Sequence, residues 1–162
     1  MNLRDESSGD HKAVRQLHLT SFPGPGEADL VDQLRGDGDA IISLVAIENR
    51  VLTGHAMLSR MTAPFRALGL GPVAVLPDWR SKGIAAALIQ EGIKRATHEG
   101  WAGIFVLGAP NYYRRFGFES RHADGFQSPY AGPHLMALPL HGDELPSRFG
   151  RLDYAPAFSA LG

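Results

Sequence analysis

From Val73 to Leu88 the chain reads Val-Ala-Val-Leu-Pro-Asp-Trp-Arg-Ser-Lys-Gly-Ile-Ala-Ala-Ala-Leu. This is an apolar run, a short polar loop and the opening of an amphipathic segment. A helix that begins here leaves four N–H groups without intrahelical partners, and its macrodipole adds partial positive charge. Such an end receives a phosphate or pyrophosphate. Gly83 and Ala85 keep side chains out of the way, while Arg80 and Lys82, on either side of Ser81, add cationic reach. Residue type leaves open which cation faces the anion. The same stretch also reads as a plain capped helix whose small residues pack on a sheet.

Rival phosphate motifs are poorer fits. Gly69-Leu70-Gly71-Pro72-Val73-Ala74 has the dinucleotide spacing, but it precedes a strand and contains a proline, whereas that motif must follow a strand and open a helix. A phosphate-binding loop of nucleotide triphosphatases needs Gly-Lys-Ser/Thr, and here Lys82 precedes Gly83 with no following hydroxyl for magnesium. The seven histidines are scattered without metal-ligand spacing, so no metal is expected. There is no Gly-x-Ser-x-Gly elbow, and no cysteine to serve as nucleophile, disulfide partner or zinc ligand.

The elements that must hold the Val73–Leu88 segment alternate between strand and helix. The 162 residues, 44% hydrophobic and 20% charged, suffice for one substantial core, so a single domain over 1–162 is expected. Sixteen basic and seventeen acidic residues leave a net charge of -1, with no global field to gather nucleic acid or anionic lipid. The charged start and the lack of a long apolar run predict a cytoplasmic protein with no membrane partner.

Asn2–Glu6 reads as a first strand, and residues 7–10 as N-cap candidates for a helix carrying Ala13, Val14, Leu17 and Phe22 and ending near Ser21. Phe22-Pro23-Gly24-Pro25-Gly26 must be a loop, after which Glu27–Arg35 resumes helical spacing. Ile41–Ile47 and Val51–Leu58 read as a hairpin with Asn49 in its turn, and Leu70–Leu76 as a strand closed by Pro77. Gly83–Ala96 has one apolar helical face, Gly100 is a helix stop, and Ile104–Leu107 is a buried strand. Strand, helix and strand in that order predict a right-handed parallel crossover in a mixed α/β fold.

With these elements in place, Arg80-x-x-Gly83-x-Ala85 resembles the Gln/Arg-x-x-Gly-x-Gly/Ala signature of the GNAT N-acetyltransferase superfamily. Tyr112-Tyr113-Arg114-Arg115-Phe116-Gly117-Phe118 is similar to its second signature, Tyr-x-x-x-Gly-Phe, at a fitting interval. Residues 22–35, the Leu107-Gly108-Ala109-Pro110 turn, Met136-Ala137-Leu138 and Tyr154–Phe158 look like the family's small bacterial YhbS-like branch. The resemblance implies a mostly antiparallel twisted sheet with a parallel, splayed strand pair and flanking helices. It implies acetyl-CoA as cosubstrate, its pantetheine pairing with backbone at Val73, Ala74 and Val75. Its pyrophosphate would be held by amides of Lys82, Gly83, Ile84, Ala85 and Ala86, with Arg80, Ser81 and Phe116 beside the cofactor. Tyr113 would be the general acid toward the departing thiolate, although a tyrosine beside Phe116 and Phe118 also reads as core filling. Arg114 and Arg115 read as a solvated helix face within reach of the cofactor's 3′-phosphate. Many family members carry asparagine seven residues before that tyrosine, and here the position is Val106.

The acceptor would be a primary amine of a small molecule or peptide, its identity set by the Phe22–Gly26 loop and the segment 142–150. The resemblance leaves a homodimer open. An amine of pKa about 10.4 is neutral in roughly one part in a few thousand near pH 7, so a base must take its proton. Glu27 and His55 are the candidates, against the plainer readings of a helix-start charge and a hydrogen-bonded strand residue. Two other readings remain: a catalytically silent CoA-binding or sensor module, and a scaffold that binds no cofactor.

Overall fold

Asn49 and Arg50 both adopt left-handed backbone, at φ 47° and 68°. Two such residues in succession make the primed turn whose twist matches that of the strands it joins. The hairpin expected around Asn49 therefore forms, with Arg50 sharing the strained position. In the computed structural model, which describes residues 1–161, the joined strands are β2 (Ala40–Glu48) and β3 (Val51–Arg60). Around them lie β1 (Asn2–Asp5), α1 (His11–Ser21), α2 (Gly26–Gly36), β4 (Ala67–Val75), α3 (Ile84–His98) and β5 (Gly103–Leu107). The chain continues through α4 (Pro110–Tyr113), β6 (Phe126–Gln127), β7 (Leu135–Pro139) and β8 (Gly150–Arg151), and a short 3-10 turn covers Pro156–Leu161.

Hydrogen-bonded neighbours run β1-β2-β3-β4-β5-β7, with β6 and β8 in a separate two-stranded sheet. β1 pairs antiparallel with β2 and β5 antiparallel with β7, whereas β4 and β5 are parallel, with Leu68 opposite Ile104. The expected mixed α/β fold, with a main sheet that is mostly antiparallel, one parallel pair in it and flanking helices, is thus the observed one, and the small β6–β8 sheet adds a second parallel pair. β4 begins three residues earlier than the Leu70 start expected. Gly69 is in the strand because a Cβ there would stand 2.6 Å from the ring of Tyr154, so the glycine makes room for an aromatic contact rather than marking a turn.

The chain packs into two compact units. The first comprises residues 1–58, 71–92 and 156 onward. Its core includes Val14 and Leu17 of α1, Ala28, Val31 and Leu34 of α2, Leu44 and Val45 of β2, and Ala56 and Met57 of β3. Each fully buried Leu or Val contributes about 1.5–3 kcal/mol relative to exposure. α3 lies hard against β3 because two glycines permit it. A Cβ on Gly54 would meet Ile84 at 2.9 Å and Leu88 at 3.0 Å, and one on Gly92 would meet Leu58 at 2.9 Å. The second unit, residues 59–70 and 93–155, centres on Met61, Ala67, Phe105, Phe126, Leu135 and Leu152. Phe105 and Phe126 meet edge to face at 5.5 Å, a favoured aromatic arrangement.

Candidate active site

In the first unit, β4 ends in a loop that delivers α3. Leu76 N donates to Thr53 O at 2.8 Å, fastening the strand end to β3, and Pro77–Trp79 forms one 3-10 turn. Ser81 (φ 61°) and Gly83 (φ 81°) then turn the chain through left-handed backbone. Nothing lies within 4 Å of a Cβ built on Gly83, so conformation rather than contact calls for glycine there, and the space above it is open. Holding Ser81 in this region costs on the order of 1–3 kcal/mol, strain of a kind that collects at ligand clamps.

The first backbone bond of this turn is Ala87 N to Gly83 O, at 3.0 Å. The N–H groups of Ile84, Ala85 and Ala86 therefore precede any intrahelical acceptor and point out of the helix end. Ile84 is buried, Ala85 and Ala86 are half-buried, and Ser81, Lys82 and Gly83 are exposed. The two cations differ in role. Arg80 Nε donates to Val75 O at 3.2 Å, bracing the loop against β4, while the Lys82 ammonium sits 5.8 Å over the Trp79 ring. Val73 is half-buried, and Ala74 and Val75 are buried. The Val75 carbonyl is thus partly engaged by Arg80. An anion suits this combination of open amides and a turned loop.

In the second unit, Tyr113 ends α4, half-buried among aromatic rings. Tyr112 lies edge-on at 5.1 Å, Phe118 at 6.0 Å and Phe116 tilted at 6.4 Å. The motif spacing has a local cause. Gly117, at φ 98°, closes the turn over Arg114–Phe116 and drops Phe118 into the core. Burial, with a smaller contribution from Tyr112, raises the Tyr113 phenol above its ordinary value, keeping it protonated and able to donate at neutral pH. Arg115 Nε donates to Tyr112 O at 3.0 Å and its guanidinium covers that ring at 4.4 Å. Val106 is buried in β5 between Leu70 and Met136, an apolar strand position.

The two candidate bases occupy different environments. Glu27 is half-buried in the first turn of α2. His55 is fully buried, with Nδ1 2.8 Å from His18 Nε2 and Nε2 2.8 Å from Ser43 Oγ. Ser43 Oγ donates to Glu6 Oε1 at 2.9 Å, and Arg35 binds both oxygens of Glu6. Burial, followed by His18 and Arg35, holds His55 well below the ordinary imidazole range. His18 is lowered to about 4 by burial and Arg35, partly offset by Asp32. Sequence reading missed His18, Ser43, Glu6 and Arg35 as a group, because they come from α1, β2, the residue after β1 and α2. The one available signal was a histidine on the apolar stripe of α1 beside Val14 and Leu17.

Among the described residues, no group of three or more His, Asp and Glu side chains is placed to hold a metal ion, and no helix is long and apolar enough to cross a membrane. This six-stranded mixed sheet, with β4 and β5 parallel and α3 between them in the chain, is a fold found among known acetyltransferases. Comparison with known proteins narrows the class. The profile of the acetyltransferase (GNAT) family matches residues 11–118. The uncharacterized N-acetyltransferase YjhQ of Escherichia coli is 34% identical over 133 residues, 76% of this chain and 73% of that protein. The crystal structure of the E. coli GNAT family N-acetyltransferase YhbS in complex with CoA superposes with TM-score 0.92 at 30% identity, covering 99% of this chain and 93% of that one. A GNAT family acetyltransferase from Brucella melitensis in complex with acetyl-CoA gives TM-score 0.81 at 31% identity, covering 97% of each chain. The chain belongs to the acetyltransferase (GNAT) family; it is an N-acetyltransferase.

Proposed function

We propose that the protein transfers an acetyl group from acetyl-CoA directly to a primary amine of a small molecule or peptide, in a ternary complex in the cytoplasm, with residues 1–162 acting as one catalytic domain. The observation that carries this reading is the start of α3, where Ser81 and Gly83 turn through left-handed backbone and the amides of Ile84, Ala85 and Ala86 stand open. The CoA and acetyl-CoA bound by the YhbS and Brucella proteins are the ligands such an end suits. Acetyl-CoA supplies a thioester, an activated acyl group with a thiolate as leaving group.

This chain's residues do the rest. Amides from Lys82 to Ala86 hold the pyrophosphate, Arg80 and Ser81 shape the loop around it, and the backbone of Val73–Val75 lines the pantetheine. Tyr113, kept protonated by burial, donates its hydroxyl proton to the departing sulfur. The acceptor nitrogen loses a proton either to Glu27 directly or toward His55, whose two ring nitrogens contact His18 and Ser43.

The test is calorimetric titration with CoA and acetyl-CoA beside an acetyl-transfer assay on a panel of amines, aminoglycosides, polyamines and peptides. Binding with transfer to at least one acceptor is expected. Absence of binding rejects the cofactor assignment, and tight binding without any transfer favours a sensor module.

A further inference from the structure

Five buried or half-buried side chains of the first unit form one hydrogen-bonded line with a definite polarity. Glu6 accepts hydrogen bonds from Arg35 on both of its carboxylate oxygens. Ser43 must give its single hydroxyl proton to Glu6 Oε1, 2.9 Å away, so in its 2.8 Å contact with His55 Nε2 it accepts. His55 carries its proton on Nε2, which leaves Nδ1 bare. His18 Nε2, 2.8 Å from that bare nitrogen, must donate. The neutral His18 ring then has no proton left for Nδ1. Nδ1 is buried and has no hydrogen-bond partner among the described residues.

A buried acceptor without a donor is uncompensated desolvation, and it calls for a ligand that brings an N–H or O–H. His18 stands in the last turn of α1, its ring stacked on Phe22 at 5.9 Å and nearly parallel. Phe22 opens the connection between α1 and α2, residues 22–25, within the segment expected from the sequence to set the acceptor. We propose that His18 is the catalytic base, accepting through Nδ1 a proton of the acceptor amine, with His55, Ser43 and Glu6 as positioning residues that hold it in the required tautomer. This assignment rests on the acetyltransferase reading above.

The step balances. As the amine nitrogen bonds to the thioester carbonyl carbon and the carbon–sulfur bond breaks, one N–H proton passes to His18 Nδ1 and the thiolate takes the Tyr113 proton. His18, fully buried in the free protein, then gives its proton to water that follows the departing product, and the Tyr113 phenolate takes one back from water, so both residues are restored. Burial and then Arg35 oppose the charge gained by His18, and Asp32 favours it. A weak base suffices, because the nitrogen's protons become acidic only once the new bond is forming. The same weakness keeps the lone pair available at neutral pH.

The experiment has two readouts. On the parent protein, nitrogen-15 NMR of the imidazoles reports the tautomers, and both His18 and His55 are expected with the proton on Nε2. A proton on His18 Nδ1 overturns the proposal, and this measurement does not depend on any variant folding. The second readout is kinetic, with the panel amine of highest turnover. His18→Gln keeps an amide donor toward His55 and replaces the basic nitrogen with a carbonyl oxygen that cannot take up a proton, so kcat is expected to fall by roughly 10²- to 10⁴-fold while acetyl-CoA affinity is unchanged. Ser43→Ala leaves Nδ1 in place but cuts the line to Glu6, and is expected to lower kcat less and release the His55 tautomer. A parental kcat in His18→Gln, with the loss appearing instead in Glu27→Gln, assigns the base to Glu27 and rejects this proposal alone. A parent that binds CoA but acetylates no amine removes the acetyltransferase reading and the base together.

Discussion

Gly108 abuts the ring of Tyr113 so closely that a Cβ at position 108 would overlap the ring's Cε2 edge. The glycine is therefore the space that lets the tyrosine lie where it does, in the turn joining β5 to α4. Its contribution is steric, which separates it from residues that touch ligand through a functional group.

Gly108→Ala is expected to displace the Tyr113 ring while leaving α3 and its open amides undisturbed. Turnover should fall with little change in CoA affinity. Steady-state rates beside calorimetry check this, and equal losses in both would mean that the substitution disturbs more than the tyrosine.

Tyr113→Phe removes the proton and keeps the ring packing against Tyr112 and Phe118. If the phenol protonates the thiolate, kcat should drop by roughly 10² to 10⁴ at unchanged acetyl-CoA affinity. The sign of the pH dependence follows from the raised phenol. The acid form persists through neutral pH and is lost only as pH rises through the raised value, so the parent should show an alkaline limb that Tyr113→Phe lacks. A thiol of pKa about 8.5 can leave partly unassisted, which makes a loss under about tenfold a matter for that profile to decide.

At Gly83 two variants separate strain from obstruction. Gly83→Ala fits the open space above the residue but meets the left-handed φ of 81°, so it should destabilise by about 1–2 kcal/mol and still bind CoA. Gly83→Glu adds the same strain and also places a carboxylate where the pyrophosphate is to lie. It should abolish CoA-induced thermal stabilisation, which in the parent amounts to about 2.7 kcal/mol at a hundred times the dissociation constant. Retained stabilisation in Gly83→Glu would move the pyrophosphate elsewhere.

What the sequence made legible is what local chemistry dictates. Asn49 between two β-rich runs specified the hairpin, and Gly83 before an apolar helical face specified the entry to α3, because each depends on a few adjacent residues. The two prolines and two glycines of residues 22–26 likewise separate α1 from α2. The short β6 and β8, at two residues each, carry no period to read, and they pair only because distant segments bring Phe126 opposite Gly150. The same limit hid the polar line through Glu6, Ser43, His18 and His55. Each of these residues looks unremarkable in its own element, and their meaning lies in tertiary register. Arg80 shows an intermediate case. Its proximity to the loop was legible, but its bond to the Val75 carbonyl needed the fold.

The buried histidines also make a prediction about acid. His18 is lowered to about 4 in the folded protein from an unfolded value near 6.5, and His55 is lowered well below its ordinary range. Because the unfolded chain binds these protons first, stability is fully present above about pH 6.5 and is lost as pH falls toward and through 4. The His18 shift alone corresponds to about 3 kcal/mol at about 1.36 kcal/mol per unit. Asp10, held well below the carboxylate range chiefly by its hydrogen bond with Arg4, loses its contribution only below its ordinary value of 3.8, so the two windows are distinguishable. Denaturant unfolding measured from pH 7 to 4 should show the free energy falling in the parent and a shallower fall in His18→Gln, which cannot take up that proton. The remaining slope in the variant belongs to His55. A parent whose stability is flat across this range would mean that both rings accept protons inside the fold without loss, contrary to their burial beside Arg35.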